Sequence, residues 1–251
     1  MAEGRLTVGV IGGMGPEATV DFFAKLVAAT PVERDQDHLR VLIDNDPSVP
    51  DRTAAVEGVG PSPAPRLIAM ARGLVAAGAE LLVMPCNTAH AFEADIRAAV
   101  SDVPFLSLIE ATVEATVEAV AAGARGPRSV GLLATTGTLR SAIYHDAFAR
   151  RGFEVLVPDA DDQRTVTAAI AAVKRGRATS VERTGLREVA ERLAVAGAGA
   201  IVTACTELPL LLQDGDVVAH GVSVPVIAST DALVARTIAA ASAQRVDAVT
   251  P

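Results

Sequence analysis

The chain of 251 residues holds two cysteines, and each closes the same kind of segment. Ala77-Gly78-Ala79-Glu80-Leu81-Leu82-Val83-Met84-Pro85-Cys86-Asn87-Thr88 aligns without a gap on Ala196-Gly197-Ala198-Gly199-Ala200-Ile201-Val202-Thr203-Ala204-Cys205-Thr206-Glu207. Each reads as a short apolar strand that runs into a thiol and then into hydroxyl, amide or carboxylate groups. The correspondence extends outward. Gly9-Val10-Ile11-Gly12-Gly13 opens one half and Gly131-Leu132-Leu133-Ala134-Thr135-Thr136-Gly137 the other, 77 and 74 positions before their cysteines. Arg52 follows Gly9 by 43 positions, and Lys174 follows Gly131 by 43. Val103-Pro104-Phe105 and Val224-Pro225-Val226 come after the two cysteines. Solenoid units run to about 20–50 residues, so this longer period implies a duplicated α/β half-domain instead.

Within each half, strands alternate with helices, which implies parallel sheets covered on both faces. In the first half, strands are expected over 6–11, 40–44, 81–84 and 105–108, and helices over 16–29, 66–77, 90–100 and 111–122. In the second, strands are expected over 129–134, 154–158, 200–203 and 224–228, and helices over 139–150, 164–175, 183–196 and 231–243. Residues 45–52 read as a loop and 245–251 as a fraying end. The fold class is therefore α/β with two lobes: 1–110 plus 218–251 as the first, 111–217 as the second. Ligands of open parallel sheets bind beyond the carboxyl ends of the strands, where both cysteines fall. Two thiols at equivalent strand ends suggest two acid/base groups facing one substrate, the layout for taking a proton from one face of a carbon and returning it to the other.

Charge and composition narrow the partners. The net charge of −8 disfavours nucleic acid and anionic membranes, and it requires local cations wherever an anionic substrate binds. No segment reads as a membrane span, and the first residues lack the basic-then-apolar pattern of a secretory signal. A cytoplasmic location, with both cysteines as free thiols, is the resulting expectation. His38, His90, His145 and His220 show no metal-ligand spacing, so no metal is expected; His90 and His145 lack counterparts in the other half and read as structural or peripheral.

Gly13-Met14-Gly15-Pro16-Glu17-Ala18 fits the G-x-G-x-x-A form of a dinucleotide turn, but Asp44 and Asp46 come late for a ribose ligand. The same backbone N–H groups at a helix start suit a small carboxylate. A lone cysteine is ordinarily a small buried hydrophobe; matched placement in both halves favours a functional thiol pair at Cys86 and Cys205. Asn87, Thr88 and Thr206 offer donors to a carboxylate or to a thiolate. Glu207 reads either as an orienting or proton-carrying group or as an acid at a helix start. Arg52 can grip a carboxylate through two parallel hydrogen bonds, or simply pair with Asp51. Lys174 lies near a helix end, and its equivalence to Arg52 marks it as a second cation. Thr135-Thr136-Gly137-Thr138 occupies the place of the Gly-rich turn in the first half, reaching the cleft or capping the next helix.

Taken together, Gly12-Gly13-Met14-Gly15-Pro16-Glu17-Ala18-Thr19, Val49-Pro50-Asp51-Arg52-Thr53, Met84-Pro85-Cys86-Asn87-Thr88-Ala89-His90, Leu133-Ala134-Thr135-Thr136-Gly137-Thr138 and Ala204-Cys205-Thr206-Glu207-Leu208 resemble the aspartate/glutamate racemase superfamily, most closely its aspartate racemase branch. Glutamate racemases generally carry histidine at the place of Glu207 and an Asp-Ser-Gly start at Gly13-Met14-Gly15, so both departures favour that branch. The resemblance implies two pseudo-symmetric Rossmann-like lobes with the site in the inter-lobe cleft, a homodimer, and racemisation of an acidic amino acid without a cofactor. It implies Cys86 and Cys205 as the catalytic thiols. Met14, Arg52, Asn87, Thr88, Ala89, Thr136, Lys174, Thr206 and Glu207 are the residues expected to bind the substrate. Racemisation of another amino acid, a dicarboxylate isomerase or decarboxylase of the same superfamily, and a non-catalytic amino-acid-binding or nucleotide-binding protein are the alternative readings.

Overall fold

Strands buried on both faces read as continuous apolar runs, and here they alternate which core each side chain enters. A computed structural model describes residues 5–122 and 128–243. The first half runs β1 (Val8–Gly12), α1 (Pro16–Ala29), β2 (Val41–Asn45), α2 (Arg52–Val56), α3 (Ala64–Ala76), β3 (Leu81–Val83), α4 (Glu93–Ala99), β4 (Phe105–Leu106) and α5 (Leu108–Ala122). The second runs β5 (Ser129–Ala134), α6 (Thr136–Arg140), α7 (Ile143–Ala149), β6 (Glu154–Leu156), α8 (Ala160–Lys174), α9 (Ser180–Val195) and β7 (Ala200–Ala204). It ends with the two-stranded pair β8 (Val218–Ala219) and β9 (Val222–Ser223), then β10 (Val226–Ala228) and α10 (Ser229–Ser242).

The two four-stranded sheets have one topology. The order β2-β1-β3-β4 in the first is repeated as β6-β5-β7-β10 in the second, with every neighbouring pair parallel. Val8, Val10, Leu81 and Val83 of one sheet enter a central core together with Val130, Leu132, Ala134, Val202 and Ala204 of the other. The intervening residues face outward: Ile11 and Leu82 enter a core closed by α3 and α4, and Leu133 and Ile201 one closed by α8 and α9. Gly9 and Gly131 sit at equivalent places, and equivalent side chains crowd them. A Cβ on Gly9 would lie 2.7 Å from Ala79 Cβ and 2.8 Å from Leu82 Cδ2; one on Gly131 would lie 2.7 Å from Ile201 Cδ1 and 3.0 Å from Leu193 Cβ. The duplication is thus kept in side-chain packing as well as in strand order.

The helices that follow the fourth strands join the halves. α5, after β4, packs on α7, β7 and β10, while α10, after β10, packs on α1 and β4; the two helices also pack on each other. Leu6 N–H donates to Ala241 O at 2.9 Å, which fixes the start of the first half to the end of α10.

Several local expectations differ from the structure. Segment 218–251 is expected with the first lobe; its helix α10 packs on α1, while its strand β10 pairs with β7 through Val226↔Ile201, Ile227↔Val202 and Ala228↔Thr203. Its Val-Pro lead is the counterpart of the one before β4, and each fourth strand lies beside its own third. The expected helix over 139–150 is two helices, because Ala142 adopts φ 56°, outside the right-handed region. The expected helix over 90–100 begins as a 3₁₀ turn, Thr88–Phe92, before α4. The loop expected over 45–52 ends in α2, whose first turn Asp51 caps by accepting Ala54 N–H at 2.7 Å. β8 and β9 were not expected. The expectation for 245–251 lies outside the described residues.

Candidate active site

The carboxyl ends of β1, β3, β5 and β7 converge on one small cavity of about 30 Å³. Met14, Arg52, Cys86, Asn87, Thr88, Lys174, Cys205, Thr206 and Glu207 line it, nine of the eleven residues singled out above, joined by Asp51, Thr53 and Thr135. Arg52, Lys174 and Glu207 also line an outer recess of about 420 Å³ with Gly15, Pro16 and Glu17, within the range for ligand sites.

Local sequence explains each placement. β1 is followed by Gly13, whose φ of +92° only glycine adopts freely; a Cβ there would lie 2.4–2.5 Å from the Asp46 backbone. That loop is tied down as Thr19 Oγ1 accepts Gly13 N–H at 2.9 Å, and Asp46 is fixed in turn by Ser48 and Arg66. Those partners hold the Asp46 carboxyl down at about 2, Ser48 contributing most. Arg52 is braced by its own loop: Nη1 donates to the carbonyls of Val49 and Pro50, both at 3.0 Å. No carboxylate lies within ion-pair distance of that guanidinium among the described residues. Asp51, the adjacent carboxylate, is engaged in capping α2. Lys174 enters from the last turn of α8 and lies 3.8 Å from Glu207 Oε1.

The two thiols are equally buried, 6% exposed each, so their neighbours make the difference between them. Burial pushes Cys86 above the usual thiol range. The Arg52 charge, the Ala89 N–H and the Lys174 charge pull it back. Cys205 stands well above that range: burial is again the largest cause, and the Glu207 carboxylate adds both its charge and a hydrogen bond. Cys205 Sγ donates to Glu207 Oε2 at 2.9 Å, and Thr206 Oγ1 donates to the same oxygen at 3.2 Å. Cys205 is therefore held the more firmly in its protonated form, and Cys86 is the more readily ionised of the two.

The Cys86 loop is held by neutral groups. His90 Nδ1 is 2.8 Å from Cys86 O, and its Nε2 accepts Leu108 N–H at 3.0 Å at the start of α5. Burial lowers the His90 pKa, so the ring stays neutral with its proton on Nδ1. Asn87 Nδ2 donates to Ser229 Oγ at 3.0 Å, and Tyr144 Oη donates to Asn87 Oδ1 at 2.6 Å. Thr88 Oγ1 lies 2.9 Å from the hydroxyls of both Thr135 and Thr138, which ties the loop to the N-terminus of α6.

Two expected residues lie off the cavity wall. The Ala89 side chain is fully buried in the outer core of the first half, and its backbone N–H is what reaches the Cys86 sulfur. Thr136 is the first residue of α6, and the preceding Thr135 lines the cavity and caps the helix through Thr138 N–H at 3.1 Å. The Thr-x-x-Thr spacing is the signal for that cap. Tyr144 and Ser229, remote in sequence from either cysteine, carried no such signal.

Among the described residues no group of three His, Cys, Asp or Glu side chains is placed to hold a metal ion, and no helix is long and apolar enough to cross a membrane.

A family model described as Asp/Glu/Hydantoin racemase matches residues 11–237. The broad specificity amino-acid racemase RacX of Bacillus subtilis (strain 168) is 27% identical over 82% of this chain and 87% of its own length. A glutamate racemase of Corynebacterium kroppenstedtii is 36% identical over 61% of this chain and 51% of that protein, so the chain spans about half of that relative. Among solved structures, aspartate racemase of Picrophilus torridus superposes with a TM-score of 0.77 at 32% identity, covering 94% of both chains. An aspartate racemase homologue of Pyrococcus horikoshii OT3 superposes with a TM-score of 0.74 at 26% identity, covering 96% of this chain and 100% of that one. The chain belongs to the Asp/Glu/Hydantoin racemase family and is an amino-acid racemase, an isomerase.

Proposed function

We propose that the protein interconverts the L and D forms of an acidic amino acid, aspartate first among them, by proton transfer between Cys86, Cys205 and the α-carbon without a cofactor. The observation that carries this reading is the presence of both thiols in one cavity with two cations, Arg52 and Lys174. One carboxylate of the substrate can be met by each cation. The likeness to Picrophilus torridus aspartate racemase over 94% of the chain supports the choice of aspartate.

In one direction the Cys86 thiolate takes the α-proton, breaking the Cα–H bond and leaving its electron pair on the α-carbon and carboxylate. Cys205 then gives its S–H proton to the opposite face, and the thiol and thiolate have exchanged places. The reverse substrate runs the same steps backwards. An ordinary thiol ionises near pH 8.5, and the Arg52 charge offsets part of the burial penalty on Cys86. Charge that builds on the α-carboxylate is met by donors already in place: a guanidinium braced by its own loop, and the Asn87, Thr88 and Thr135 side chains. Glu207 supplies an acceptor for the Cys205 proton and occupies Lys174 until a substrate carboxylate competes for it.

The test is α-proton exchange of L-aspartate in D2O by NMR, under reducing conditions and with no added cofactor, followed by chiral analysis. The expected result is loss of the α-proton signal together with the appearance of D-aspartate. Exchange on neutral amino acids as fast as on aspartate would instead favour a broad specificity like that named for RacX. No exchange on any amino acid would overturn the proposal.

A further inference from the structure

The chain has a single tyrosine and no tryptophan, and that tyrosine, Tyr144, is fully buried. Tyr144 projects from α7, Ser229 opens α10, and Asn87 follows Cys86. Tyr144 Oη donates to Asn87 Oδ1 at 2.6 Å, and Asn87 Nδ2 donates to Ser229 Oγ at 3.0 Å, so both ends of the amide are held. Tyr144 Oη also lies 3.3 Å from Thr112 Oγ1, a longer contact, and Thr112 gives its own proton to Leu108 O at 2.6 Å. Linked hydrogen bonds in a dry interior reinforce one another, and opening one leaves a buried polar group unsatisfied. The network uses one N–H of the Asn87 amide and leaves the second for the cavity that Asn87 lines.

The arrangement has no counterpart beside the other cysteine. Thr206 takes the place of Asn87 there, and its hydroxyl turns to Glu207 instead. Tyr144 does not line the cavity, so whatever it contributes passes through Asn87. The phenol also spans the halves: Asn87 belongs to the first, and Tyr144 and Ser229 to the second.

Resting on the racemase reading above, we propose that Tyr144 is a positioning residue of the reaction: with Ser229 it locks the Asn87 amide so that its remaining N–H meets the substrate carboxylate beside Cys86. A donor held where charge accumulates acts on the transition state more than on the bound substrate, so its loss falls on kcat. Tyr144→Phe keeps the ring that stacks on Phe148 at 6.1 Å and removes only the hydroxyl.

The experiment is a double-mutant cycle of Tyr144→Phe and Asn87→Ala on the full chain, read by aspartate racemisation and by near-ultraviolet absorbance. Tyr144→Phe is expected to lower kcat about 10- to 100-fold with KM changed by less than about threefold. In the Asn87→Ala background the same change should cost less than about twofold. Because one tyrosine gives the whole near-ultraviolet band, Asn87→Ala should also shift that band to shorter wavelength as the hydroxyl loses its acceptor. Full loss from Tyr144→Phe in both backgrounds, a loss confined to KM, or an unshifted band would overturn the assignment while leaving the racemase reading intact. A wild-type protein that exchanges no α-proton would overturn both. If Tyr144→Phe fails to fold, Ser229→Ala removes the partner at the other end of the Asn87 amide and is read against Asn87→Ala by the same kinetic criteria.

Discussion

The loops that carry Cys86 and Cys205 leave equivalent strands, bury their thiols equally and face one cavity, yet they are held by opposite means. Around Cys86 the restraints are neutral: the Asn87 amide held between Tyr144 and Ser229, the uncharged His90 ring, and the Thr88 hydroxyl cluster. Around Cys205 they are ionic, with Glu207 shared between the thiol and Lys174. The duplicated scaffold copies geometry, and the residues just after each cysteine set its charge state. In the proposed mechanism a symmetric reaction would thus start from an asymmetric site: one thiol held in its protonated form by a carboxylate, the other eased toward ionisation by a guanidinium.

The comparison is tested most severely by removing one thiol at a time. Cys86→Ser and Cys205→Ser should each lower racemisation by about 10²- to 10⁴-fold, the scale of a positioned acid or base. Each single variant retains one base, so it should still wash deuterium into one enantiomer without inverting it, and the two variants should favour opposite enantiomers. Monitoring both enantiomers in D2O decides the point. Washout into the same enantiomer by both variants would show that the thiols do not stand on opposite faces.

A second test concerns how far the packing of the halves is equivalent. Gly9→Ala and Gly131→Ala should each destabilise the fold by about 1–3 kcal/mol, the usual cost of overpacking a filled core. The halves should differ in degree. The nearest obstacle to a methyl at Gly9 is Ala79 Cβ, which has no torsion to yield, whereas at Gly131 it is the swinging end of Ile201. Gly9→Ala is therefore the more damaging, as chemical denaturation can measure. Equal losses would mean that the backbone, not these side chains, sets the closeness of approach.

Much of this is legible in the sequence. The internal repeat, with its matched glycines, cysteines and Val-Pro leads, together with the family resemblance, carries the α/β class and the gathering of nine expected side chains around one cavity. What escapes is long-range or cooperative. An expectation that places segment 218–251 with the first lobe does not reveal that β10 lies beside β7, although Val224-Pro225-Val226 is the counterpart of the lead to β4. Ala142 broke an apparently continuous helix through one backbone torsion that its residue type does not announce. Thr135 was passed over for Thr136 because a cap is recognised by its partner three residues on. Tyr144 and Ser229 were invisible because nothing local distinguishes a buried tyrosine in a core from one that holds an active-site amide.

The smallest expected effect bears most directly on the ionic side of the comparison. The proposed mechanism needs one thiol and one thiolate, so kcat/KM should follow a bell whose limbs belong to the pair and not to either residue alone. The alkaline limb would mark loss of the second proton, the one Cys205 shares with Glu207. Glu207→Gln removes a negative charge and an acceptor of the S–H proton, both of which raise the Cys205 pKa, and it leaves the opposing Lys174 charge in place. The alkaline limb should accordingly move to lower pH. Stability follows the same sign. A thiol whose folded pKa is raised contributes stability that is complete below the unfolded thiol pKa and is lost as pH rises through the folded value. Unfolding by denaturant above about pH 9 should therefore weaken the wild type, and Glu207→Gln should flatten that decline. A limb that stays in place or moves upward would show that Glu207 does not govern the Cys205 proton, and the difference between the two loops would then have to rest on Arg52 alone.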